Sequence, residues 1–84
     1  MDIKTKEKSI VMAKEIQEAT ETLDVALNHQ SGDHEVVEAK NIVANVLRSY
    51  KDFINSVSEA ERKEVQELFA KKIEAMALKA KQLG

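Results

Sequence analysis

Apolar residues recur along this chain at alternating steps of three and four, the spacing that returns to one face of an α-helix at each turn. The pattern is most regular in the middle, where Val36, Ala39, Val43, Val46, Tyr50, Phe53 and Val57 form one row. Ile42, Leu47 and Ile54 lie one position to either side of members of that row, so the stripe becomes a face broad enough to touch two neighbours. A helix with such a face needs partners, and both flanking segments supply them. Upstream, Met12, Ile16, Ala19, Leu23, Ala26 and Leu27 make a second stripe; downstream, Val65, Leu68, Phe69, Ile73, Met76, Ala80 and Leu83 make a third.

The spacing predicts helices over about 9–28, 34–55 and 59–83, preceded by a polar segment, 1–8, that is expected to fray. Asn28 to Asp33 is the turn-rich run between the first two helices. There Gly32 is suited to a left-handed turn and Asp33 to capping the next helix. The second boundary has no glycine or proline. Ser58 with Glu61 fits a capping box, and Ser56 with Glu59 fits the same pattern two residues earlier. One continuous helix from 34 to 83, about 75 Å long at 1.5 Å per residue, is the competing arrangement; the polar cluster Asn55, Ser56 and Ser58 and a change of apolar phase speak against it. The expected fold is all-α, an antiparallel three-helix bundle forming a single domain over 9–84, with Met12, Ile16, Leu23, Leu27, Val36, Val43, Val46, Leu47, Tyr50, Phe53, Ile54, Val65, Leu68, Phe69, Ile73, Met76 and Leu83 as its core.

Composition sharpens this picture. The chain has 84 residues, no cysteine, no proline and two glycines. Long uninterrupted helices follow from the scarcity of breakers, and neither a disulfide nor a thiolate metal site can hold the fold. A chain this short buries a modest fraction of its surface, so its stability should be marginal to moderate. The formal net charge is −2, which gives no composition-level case for nucleic acid. Charge is unevenly placed, however: Glu15, Glu18, Glu21 and Asp24 make the first helix acidic, while Lys71, Lys72, Lys79 and Lys81 make the end of the third basic, where cations suit the helix dipole. No apolar run approaches the roughly 20 residues that span a bilayer, and residues 1–8 lack the apolar region of a secretory signal. A soluble, cytoplasmic protein is the expectation.

Little in the chain carries chemistry. His29 and His34 flank the first turn with Asp33 and Glu35 nearby, but no helix-spaced pair orients them as metal ligands, and two solvated histidines are expected. No glycine-rich phosphate loop, nucleophilic cysteine or recognisable Ser/His/Asp arrangement is present. We therefore expect no enzyme activity, no cofactor and no metal. The helices are too long, and the middle one too poor in cations, for a helix-turn-helix reader of DNA. Membrane-surface binding by the third helix is disfavoured by Glu59, Glu61, Glu64 and Glu67.

Recognition of another protein remains, through a helix face or a groove between helices. The apolar side chains left over after three inward stripes are Val11 and Val25 on the first helix, Val37 on the second and Leu78 on the third, and these are the candidate partner-binding residues. Lys72, Ile73, Met76, Ala77, Lys79, Ala80 and Leu83 together resemble the last helix of MIT domains, three-helix modules that bind short helical peptides in an interhelical groove. That family usually has an aromatic where Met76 stands, an arginine where Lys79 stands and a shorter first turn. The expected function is a small binding or regulatory module for another protein. The alternatives are a homodimerising helical unit that buries the same stripes between chains, and a small nucleic-acid-associated accessory protein.

Overall fold

A computed structural model of the chain describes residues 2–28 and 33–83. The expected turn, with His29 and Gly32, falls outside the described residues, and so does the side chain of Asp33. Three helices make up the fold: α1 (Ile3–Asn28), α2 (Asp33–Ser56) and α3 (Glu59–Gln82). Every pair of helices is in contact, which makes the molecule an all-α three-helix bundle, a rod of 43 × 18 × 16 Å. Polar contacts fix the directions. At one end the Asp2 backbone N–H donates to Glu61 Oε2 (3.0 Å), and at the other Lys79 Nζ pairs with Asp24 Oδ1 (2.7 Å). Thus α1 and α3 run the same way, and α2 returns between them.

The core is the sum of the three stripes. From α1 it takes Met12, Ile16, Ala19, Leu23 and Ala26, from α2 Ala39, Val43, Val46 and Phe53, and from α3 Val65, Phe69 and Met76. Ile42, Tyr50, Ile54, Val57, Ile73, Ala80 and Leu83 pack around this centre half-buried. Two residues expected inside are not there: Leu68 is 50% exposed and Leu47 37%. Each stands next to a better-placed residue, Phe69 or Val46, and is turned about 100° from it. In a three-helix bundle the inward sector is narrower than the apolar stripe these helices carry. Leu27 and Val36 are half-buried.

The first helix starts at Ile3 instead of Ser9, so residues 3–8 of the segment expected to fray are helical. Its inward row continues through Thr5 and Ser9, both buried, at the same steps of four and three that lead to Met12. Because the positions are filled by hydroxyl side chains, hydrophobic periodicity alone misses them. Asp2 caps the helix: its Oδ1 accepts from the Thr5 backbone N–H at 2.8 Å, and its carbonyl accepts the first helical bond, from Lys6 N–H.

Hydrogen bonds from the Thr5 backbone N–H and then from its hydroxyl hold the Asp2 carboxyl below the usual carboxylate range. A folded-state pKa below the unfolded one means that the contribution is present at neutral pH and is lost as pH falls through the folded pKa. The melting temperature of Asp2→Asn should therefore lie below that of wild type at pH 7, with the gap closing as pH falls below the ordinary aspartate value of about 3.9. A gap constant over that range would show that the carboxylate charge has no part in capping.

Between α2 and α3 the chain breaks at Val57 and Ser58, so the long continuous helix is not formed. Ser58 has extended backbone, and its Oγ accepts from the Glu61 N–H at 3.3 Å, which makes Ser58 the cap. Ser56 stays within α2 and donates its hydroxyl to the Phe53 carbonyl. Arg62 Nε donates to the Ile54 carbonyl at 2.9 Å, tying the end of α2 to the start of α3. Glu61 does not simply reach back along its own helix; the same carboxylate receives the Asp2 N–H, joining two helix starts.

Candidate functional site

Rotated about 100° from the inward row of α1 is a second row, Val11, Glu15, Glu18, Thr22 and Val25, again at steps of four and three. On α2 the corresponding row is Glu35, Glu38, Ile42, Asn45, Ser49, Asp52 and Ser56. These two rows face each other across one seam and leave it open. Three cavities follow one another along it. A volume of about 590 Å³ lies where Val11, Met12 and Glu15 meet Ser49, Asp52 and Phe53. The next, about 350 Å³, lies between Glu18 and Thr22 and the side chains of Ile42 and Val46. The last, about 380 Å³, lies where Val25 and Ala26 meet His34, Glu35 and Glu38. Glu15 and Ser49 line both the first and the second, and Thr22 both the second and the third, so the three form one trough.

Ser49, Asn45, Ser56 and Thr22 alternate along the walls of the trough with longer carboxylate side chains, and the floor is apolar: Met12, Phe53 and Val46 are core residues that line its base. The rim is acidic. Glu7, Glu15 and Glu18 stand on the α1 side and Glu35, Glu38 and Asp52 on the α2 side, with Lys8 the lining lysine.

Of the four candidate residues, Val11 and Val25 are walls of this trough, 55% and 51% exposed. Val37 and Leu78 are equally exposed but line none of the three cavities, so the structure does not gather all four into one site. The rim carboxylates were not among the candidates. Their signal was the acidity of the first helix, which the fold divides: Glu15 and Glu18 face the trough, while Asp24 points to α3 and pairs with Lys79. The basic end of α3 therefore has a carboxylate partner in addition to the helix dipole.

A second set of exposed apolar side chains, Ile3, Ile10 and Leu68, belongs to the α1–α3 side. The Asp2–Glu61 contact sets the register there, and Ile10 and Leu68 each stand about two turns beyond it.

Among the described residues no helix is long and apolar enough to cross a membrane, and no group of three or more His, Cys, Asp or Glu side chains is placed to hold a metal ion. Comparison with family models, with curated proteins and with solved structures finds no match. The similarity of the last helix to MIT domains accordingly rests on its own few residues.

Proposed function

We propose that this chain is a small non-enzymatic protein of the cytoplasm that binds another protein by seating one of its helices in the trough between α1 and α2. The observation that carries this reading is the trough itself: a continuous seam with an apolar floor, left unfilled along most of the length of two helices. A helix laid into such a groove buries apolar surface at about 25 cal/mol per Å². The arrangement offers surface and charge, and the absence of cysteine removes the most reactive nucleophile. A photo-crosslinking residue placed at Val11 or at Ser49 should give adducts with one and the same polypeptide, mapped to a single helix of it. The same residue at Lys63 or Gln66 on α3 should not. Equal yields from all four positions would count against the trough.

Self-association is the second reading, favoured by the exposed group Ile3, Ile10 and Leu68. It does not require the inward stripes to be shared between chains, because one chain closes them. Under the first reading light scattering returns a mass near 9.4 kDa across concentrations. A dimer that Ile10→Lys dissociates would favour the second.

A further inference from the structure

We propose that the helix taken by the α1–α2 trough is a cationic amphipathic one, with apolar anchors about two turns apart and Lys or Arg on either flank. This rests on the trough being a binding groove and adds the chemistry of its occupant. Six rim carboxylates, Glu7, Glu15, Glu18, Glu35, Glu38 and Asp52, face one seam against Lys8. The negative potential that these carboxylates create over an apolar floor attracts a cation. An anionic lipid surface or a nucleic acid would meet repulsion here.

A second copy of the chain is a poor occupant through its α3 face for the same reason. Its exposed α3 face, with Leu68 and Leu78, mixes Lys71 and Lys72 with Glu67 and Glu74, and the whole chain is net negative. The floor sets the anchors. Val11 and Val25 are fourteen positions apart, about 21 Å along the axis at 1.5 Å per residue. Between the stations at Val11–Phe53, Ile42–Val46 and Val25–Ala26 there are about two turns each, which places anchors on the partner near i, i+7 and i+14.

The test uses the full chain and three synthetic helical peptides. All share one Ala-rich backbone; the first has Leu anchors at i, i+7 and i+14 with Lys flanks, the second the same anchors with Glu flanks, the third Lys flanks with Ser in place of Leu. Binding is read by fluorescence anisotropy, and its place by amide shifts in ¹⁵N-labelled protein. The first peptide should shift amides near Val11, Val25, Ile42 and Ser49 and bind at least about tenfold more tightly than either of the others. Its affinity should fall as salt rises. The double variant Glu18→Lys with Asp52→Lys, at exposed positions, leaves four rim carboxylates against three lysines and should narrow, relative to wild type, the difference between the Lys- and Glu-flanked peptides. Equal binding of those two in the trough would overturn the charge assignment while leaving the groove in place. Shifts confined to Leu68 and Leu78, or no binding by any peptide at about 1 mM, would overturn the groove and the proposal together. Trough amides that shift with protein concentration alone, alongside a dimer mass, would make a second copy the occupant and overturn the proposal.

Discussion

Phe69→Ala should lower the unfolding free energy by about 3–5 kcal/mol, whereas Leu68→Ala, one residue away, should change it by less than about 1 kcal/mol. Phe69 is 4% exposed and sits in the central cluster; its ring is removed from water on folding, and alanine in its place leaves a cavity that neighbouring helices can only partly close. Leu68 keeps half its surface in solvent in the folded state, so truncating it forfeits little transfer energy. A chain of 84 residues has a total stability of roughly 4–13 kcal/mol at 0.05–0.15 kcal/mol per residue. On that scale the first change removes a large share of the total stability, and the second is within ordinary surface tolerance. Urea denaturation followed by circular dichroism separates them. Equal midpoints for the two variants would mean that α3 is rotated from its observed orientation.

Those two neighbours also show how far a helical row can be read before a structure is known. Periodicity locates the face to within one residue, and here one residue is 100°. Val65, Phe69 and Met76 are the inward centre of α3; Leu68 belongs to the same apolar row on paper and to the surface in the bundle. The reverse error occurs on α1, where Thr5 and Ser9 occupy inward positions that a search for apolar residues passes over. The break at Ser58 was legible because a capping serine leaves a chemical signature, and Glu61 three residues later strengthened it. The candidate site was half legible. Val11 and Val25 stood out as valines off the inward stripe, but the trough they border takes its lining from two helices at once. A gap between two helices is a property of pairs, and no single stretch of sequence contains it.

Leu23 and Val25, two positions apart on α1, should divide stability from recognition. Leu23 is fully enclosed at 0% exposure, and Leu23→Ala should cost about 2–5 kcal/mol through lost transfer energy and an unfilled cavity. Val25 stands half-exposed on the wall of the trough, and Val25→Ala should leave stability within about 0.5 kcal/mol of wild type. Binding should run the other way. At a temperature where both proteins are folded, Leu23→Ala should hold the Lys-flanked peptide nearly as well as wild type, since Leu23 is enclosed in the core and lines none of the three cavities. Val25→Ala removes one of three apolar stations and should weaken the peptide severalfold, at about 0.8 kcal/mol per buried methylene lost. Denaturation and anisotropy on the same two proteins provide the comparison. A Val25→Ala protein that binds as wild type would place the contact on the other stations alone, and a Leu23→Ala protein that stays folded but cannot bind would mean that the trough depends on core packing beneath it.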